Sequence, residues 1–142
     1  MKLNKLTLKD RTLFRRYLDL SGHELSVYSF ENIFIWTSLF DIRWQVIDGN
    51  LCIFFFDSMG CFQYFSPLGK TKSSKAVSCA FGIMDSFNKN KEISRIENVQ
   101  EPELDFYSDL GYACKEKSLD YLCRRTDLAY LKGDKFKIQD FK

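Results

Sequence analysis

A single histidine, two prolines and no cysteine pair spaced C-x-x-C set the first limits on this chain. Zinc sites draw on several Cys or His ligands at close spacing, so no metal centre is expected. The five cysteines (Cys52, Cys61, Cys79, Cys114 and Cys123) make an odd count. They read as reduced thiols of a cytoplasmic protein, several of them buried. The lone His23 lies in "LSGHELS", which reads as a loop, so a Cys–His nucleophilic pair is not expected. Long apolar runs are also missing. Even the run around "CIFFF" at 52–56 is far too short to cross a bilayer. The opening "MKLNKLTLKD" carries no apolar stretch after its lysines, so neither a secretory signal nor a transmembrane segment is expected. A net charge of only +2 argues against a dedicated nucleic-acid binder, which would draw its affinity from many phosphate contacts.

Aromatic residues, by contrast, are abundant. They make up 16% of the 142 residues, with 14 Phe, enough flat bulk for the core of one domain and for an apolar surface kept for a partner. No internal repeat or linker divides the chain, so residues 1–132 are expected to form a single domain.

Hydrophobic periodicity gives an element order. "LNKLT" is a short strand. Thr7 and Asp10 suit a helix start, and Leu13, Phe14, Tyr17 and Leu18 share one face. The arginines Arg11, Arg15 and Arg16 fall largely elsewhere, on a solvated face. Ser29 caps a second helix that turns Phe30, Ile33, Phe34 and Leu39 inward. "IRWQVID" and "NLCIFFFD" flank Asp48-Gly49-Asn50, a hairpin signal. The second of these strands is apolar on both faces and should be central. "CFQYFS" is a third antiparallel strand. A helix over 73–88 buries Ala76, Val77, Ala80, Phe81, Met84 and Phe87. "EISRIENV" is a strand, "PELDFYSDL" a short helix ended by Gly111, and "YACKEK" and "LDYLCRR" are two last strands. A short helix at 127–131 precedes the tail 133–142. Trp36 and Trp44 are expected in or near the core. Glu31, Asp41 and Asp57 show no spacing that suggests a paired carboxylate site.

The order β-α-α-β-β-β-α-β-α-β-β resembles the GCN5-related N-acetyltransferase fold: an α/β (α+β) arrangement of a mixed, mostly antiparallel sheet flanked by helices. "FYSDLGY" at 106–112 resembles the Tyr-x-x-x-Gly-aromatic segment of that fold. The resemblance implies that Tyr107 could protonate a departing coenzyme A thiolate, a role suited to a neutral phenol. A packing tyrosine before a helix-ending glycine gives the same spacing.

Whole segments carry a narrower resemblance. "LTLKDRTLFRRYL", "YSFENIFIWTSLFDIRWQVIDGNLCIFF", "YFSPLGK" and "LDYLCRRTDLAYLKGDKF" resemble the bacterial family of uncharacterised proteins grouped with the phosphatidylglycerol lysyltransferase C-terminal domain. Members of that family carry two acetyltransferase-like domains in tandem, and this chain resembles the first. The tail departs from the family pattern, reading "DKFKIQDFK" where members run on into a basic stretch and the second domain. The resemblance implies a second acetyltransferase-like domain or a homodimer as partner. In the lysyltransferase members it implies aminoacyl-tRNA and lipid as substrates.

"SPLGKTKSS" at 66–74 contains Gly-Lys-Thr, but a phosphate loop of the G-x-x-x-x-G-K-[ST] type would need glycine at Tyr64, so a nucleotide triphosphatase is excluded. The stretch occupies the slot in which the acetyltransferase fold holds the coenzyme A pyrophosphate. Gly69, Lys70, Thr71 and Lys72 are therefore the candidate residues for an anion or acyl-coenzyme A phosphate. Only Gly69 of the usual glycine pattern is present, and Pro67 removes a donor. A degraded anion site and a plain basic loop both remain open. Three functions follow: half of a bipartite acyl- or aminoacyl-transferase-like site that is inactive alone, a self-contained N-acyltransferase, and a non-catalytic binding or assembly module.

Overall fold

The computed structural model describes residues 2–23, 25–117 and 125–130. Its centre is the hairpin of β2 (Asp41–Ile47) and β3 (Asn50–Phe56). Asp48 and Gly49 join them with φ of 48° and 74°, the two positive values a primed two-residue turn requires. With β1 (Asn4–Lys5) and β4 (Cys61–Phe62), they form an antiparallel sheet in the order β1-β2-β3-β4. The inner position expected for the apolar strand is the one β3 takes.

Alternation along β3 divides the interior in two. Leu51, Ile53 and Phe55 join Phe62 on one face, and Cys52 and Phe54 join Cys61 on the other. The first face is covered by α1 (Arg11–Ser21), through Phe14 and Leu18, and by α2 (Phe30–Ile35), through Phe30 and Ile33. The second is covered by α3 (Ser74–Phe87), through Ala76, Ala80 and Met84. The fold is therefore a mixed α+β arrangement with an antiparallel sheet between helices.

Local chemistry starts these helices where the sequence places them. The Asp10 carboxylate accepts from the Thr7 backbone N–H at 2.8 Å and from its hydroxyl at 3.0 Å. Ser29 Oγ accepts from Asn32 N–H at 3.2 Å, and Ser73 Oγ from Ala76 N–H at 3.1 Å. Arg11 and Arg15 are exposed as expected, and both bond the Glu31 carboxylate, linking α1 to α2. Two inward assignments are corrected: Leu39 and Phe87 are exposed. Residues 36–38 tighten into a 3-10 turn, which ends the α-helical stripe before it reaches Leu39. Phe87 sits at the last position of α3 and only leans its ring edge on Phe56.

After β4, regular pairing gives way. The expected strand "EISRIENV" is a 3-10 turn at Lys91–Ile93, followed by one parallel bridge between Gln63 and Ile96. Gln63 N–H donates to Arg95 O at 2.9 Å, and Glu97 N–H donates to Gln63 O at 2.8 Å. A 3-10 turn at Glu101–Glu103 leads into α4 (Leu104–Asp109). The expected strand at 112–117 has no regular structure. That of "LDYLCRR" lies mostly outside the described residues, as does the tail 133–142. A further helix, α5 (Arg125–Tyr130), stands close to the one expected at 127–131. Among the described residues, no helix is long and apolar enough to cross a membrane.

Candidate functional site

The stretch 66–73 runs from the end of β4 to α3. Leu68 exchanges both backbone hydrogen bonds with Leu51, at 2.7 and 2.9 Å. Gly69 lies so close to the β2–β3 turn that a Cβ on it would stand 2.8 Å from Asn50 Oδ1. The glycine therefore seats the loop on the hairpin. Lys70 and Thr71 are exposed. At the start of α3, Ser73 Oγ both caps the helix and donates to Asp48 Oδ2 at 2.5 Å. That contact puts a carboxylate where an incoming phosphate would need positive potential. The backbone groups of Leu68, the bareness of Gly69 and the Ala76 N–H at the start of α3 are thus taken up internally, and the Asp48 carboxylate beside that start disfavours a coenzyme A pyrophosphate.

Lys72 turns inward instead. Its Nζ lies 2.6 Å from Glu103 Oε1 and donates to Ser66 Oγ at 3.0 Å and to Pro67 O at 3.5 Å. From the other side, Tyr107 Oη meets Ser66 Oγ at 2.5 Å. Tyr107 and Ser66 are buried. The end of α4 fixes the tyrosine. Gly111 N–H donates to Ser108 O and Tyr112 N–H to Tyr107 O, the paired bonds of a Schellman cap. The rings of Tyr107 and Tyr112 lie 6.4 Å apart, and Tyr112 stacks on Phe81 of α3 at 4.4 Å. The Tyr-x-x-x-Gly-aromatic spacing is thus, physically, a helix stop that aims a phenol at Ser66.

Burial pushes the Tyr107 phenol well above its ordinary range, and the negative charge of Glu103 adds to this against the opposing Ser66 bond. Tyr107 therefore stays neutral. Lys72 supplies a hydrogen to Ser66 and takes none from it. Activating a serine nucleophile requires a base that accepts its proton, so Ser66 is not set up for attack.

His23 extends the cluster. Its ring stacks on Tyr28 at 3.8 Å, and the Tyr28 hydroxyl donates to Asn98 O at 3.0 Å. Burial lowers the His23 pKa and raises that of Tyr28 to about 12. Among the described residues, His23 Nε2 and Glu103 Oε2 are buried without a hydrogen-bond partner, as are both ends of the Gln63 amide.

Of the candidates marked in sequence, Lys72 and Tyr107 come together, while Gly69, Lys70 and Thr71 do not join them. Sequence reasoning missed Ser66, Glu103 and the His23–Tyr28 stack. The available signal was a polar residue inside an apolar run: Gln63 and Ser66 interrupt "CFQYFSPL". The scattered carboxylates have local partners. Glu31 binds two arginines, Asp41 binds Arg43, and Asp57 accepts from the backbone of Met59 and Gly60. Trp44 is partly buried against the first core, and Trp36 is 39% exposed. No group of side chains suited to a metal ion occurs among the described residues.

No family model matches the chain, and no curated protein matches it. Among solved structures it is similar to a conserved protein of unknown function from Bacteroides thetaiotaomicron VPI-5482, with a TM-score of 0.76 and 24% identity. The match covers 96% of this chain and 47% of that one, so the chain spans about half the length of its structural relative.

Proposed function

We propose that this chain is an acetyltransferase-fold domain that serves as one half of a two-part acyl- or aminoacyl-transferase-like protein and does not turn over an acyl donor alone. The observation that carries this reading is the closure of the Ser66–Tyr107 cluster. Ser66 is only 2% exposed, Lys72 is bound to Glu103, and the loop expected to hold a phosphate is engaged with the β2–β3 hairpin. The element order through α4 and the parallel contact at Gln63–Ile96 support the fold assignment. So does the resemblance of the "NIFIW" and "YFSPLGK" segments to proteins grouped with the phosphatidylglycerol lysyltransferase C-terminal domain. Correspondence to about half of a longer chain supports the two-part arrangement.

On this reading Tyr107 acts on position rather than on protons: it locks α4 onto the loop after β4, and chemistry falls to the other half. A turnover assay on the purified chain, following thiol release from acetyl-coenzyme A in the presence of primary amines, should give no rate above the uncatalysed background. An enzymatic rate that vanished in Tyr107→Phe would replace this reading with that of a self-contained N-acyltransferase.

A further inference from the structure

An aromatic cleft of about 240 Å³ opens on the α1/α2 side of the sheet, with Trp36, Phe40, Phe55, Phe62 and Tyr64 in its wall. The centre of the Trp36 ring lies 5.7 Å from that of Phe40 and 5.9 Å from that of Tyr64. Phe40 stands edge-on to Phe55 and to Phe62, with ring planes 78° and 79° apart. The rings therefore meet as walls set at an angle rather than as one stack. Trp36 keeps 39% of its surface exposed. The cleft falls below the roughly 300–1,000 Å³ of pockets that enclose a drug-sized ligand, so its occupant is small. Ser66, Lys72, Glu103 and Tyr107 do not line it, which separates it from the cluster described above.

Its chemistry selects a cation. An aromatic face carries negative potential and attracts a positive charge held within about 6 Å of the ring centre, Trp most strongly. Two rings of the cleft already do this for the chain's own side chains: the Arg95 guanidinium lies 4.3 Å from the centre of Phe62, and Lys117 Nζ lies 4.9 Å from that of Tyr64. Both cations are bonded to Glu97 at 2.7 Å, which occupies that carboxylate. Asp57 is the other carboxylate of the lining. Its Oδ1 accepts from the backbone N–H groups of Met59 and Gly60, and it pairs with no cation among the described residues. Its charge is left for a ligand. None of the buried unpaired polar atoms of the described residues belongs to the wall. A primary ammonium would bring three N–H donors into a cleft with few acceptors to meet them. A quaternary ammonium has no N–H to satisfy and offers methyl groups to the rings. We propose that the cleft binds a small organic cation through a quaternary ammonium group, held by the rings of Trp36, Phe40 and Tyr64 and by the charge of Asp57.

Saturation-transfer NMR on the methyl protons of choline, titrated into the full chain at constant ionic strength, tests it. Choline should bind saturably. Its carbon isostere, in which a tert-butyl group replaces the trimethylammonium, should bind about tenfold more weakly, because the rings and Asp57 respond to charge and not to shape alone. Trp36→Leu should weaken choline by about tenfold, and Asp57→Asn should act in the same direction. Trp36 is partly exposed, and the asparagine keeps the Oδ1 that Met59 and Gly60 bond, so both variants should retain the wild-type far-UV circular dichroism. Phosphatidylcholine vesicles separate the two sources of such a headgroup: co-sedimentation that free choline abolishes assigns a lipid, and choline binding without co-sedimentation assigns a free solute. No saturable choline binding by the wild type, equal affinity for the carbon isostere, or unchanged affinity in either variant would overturn the site. None of these results would touch the two-part reading, which fails instead on turnover by the isolated chain.

Discussion

Tyr107 Oη and Ser66 Oγ meet at 2.5 Å across 41 residues of sequence, joining α4 to the loop that leaves β4. Lys72 reaches the same serine, so removing the phenol hydroxyl leaves Ser66 still bonded. Tyr107→Phe should therefore cost only about 1–2 kcal/mol of stability, and Ser66→Ala somewhat more, because it strips a partner from both Lys72 and Tyr107. The two changes share one bond, so the double variant should lose less than the sum of the singles. Urea unfolding of the four proteins measures this coupling. Strict additivity would mean that the bond contributes nothing.

Asn88 acts as a short splint for β4. Its Oδ1 accepts from Cys61 N–H at 2.7 Å, and its Nδ2 donates to Cys61 O at 2.7 Å and to Ser94 Oγ at 2.9 Å. Asn88→Ala should cost about 2–4 kcal/mol, since it removes a partner from buried backbone groups. A Cβ on Gly60 would stand 2.3 Å from Asn88 Oδ1, at a φ of 153°. Gly60→Ala should destabilise through the same clamp. Thermal melts of both variants check this, and an unchanged midpoint for Asn88→Ala would contradict it.

Stability should fall in two stages as pH drops. Burial lowers the His23 pKa from 6.5, so the unfolded chain takes up this proton more readily than the folded one. Stability is then full above about 6.5 and declines as pH falls through that value toward the lower folded pKa. Asp19 of α1, Tyr28, Lys72 and Glu103 are the groups that face His23. Lower still, Glu97 contributes. Burial alone would raise its pKa, but the bonds from Lys117 and Arg95 hold it below the ordinary 4.5. That contribution is present above 4.5 and is lost as pH falls below it. Urea midpoints taken from pH 7.5 to 5 should decline for the wild type and flatten in His23→Phe. Equal slopes for the two proteins would contradict the assignment.

The thiols should separate by burial. Cys52 and Cys61 are buried, and burial pushes both up to about 12, whereas Cys114 is exposed. Under native conditions, iodoacetamide should label Cys114 before Cys52 and Cys61, which should stay unmodified until the chain unfolds. Peptide mass spectrometry reads the order, and early labelling of Cys52 would contradict the placement of β3.

The hairpin, the three main helices and the inner place of β3 were legible because each rests on local chemistry: Asp48-Gly49, the caps Thr7, Ser29 and Ser73, and the two-sided apolar run at 51–56. Elements that depend on distant partners were not legible. "EISRIENV" has a strand's composition, yet Asn90 caps a 3-10 turn there and only Ile96 pairs. Lys70 and Lys72 look alike in sequence. Only the arrival of Glu103 beside the loop after β4 turns Lys72 inward. Gly69 read as a phosphate-loop glycine because its tight contact with Asn50 spans 19 residues of chain and leaves no local pattern.

Titration calorimetry of the purified chain with acetyl-coenzyme A tests the central claim most directly. With Lys72 bound to Glu103, Ser73 bound to Asp48 and Ser66 buried, the account predicts no saturable heat of binding. Saturable one-to-one binding that is lost on Gly69→Ala or Lys72→Ala would show that the loop is an acyl-donor site and would contradict the account.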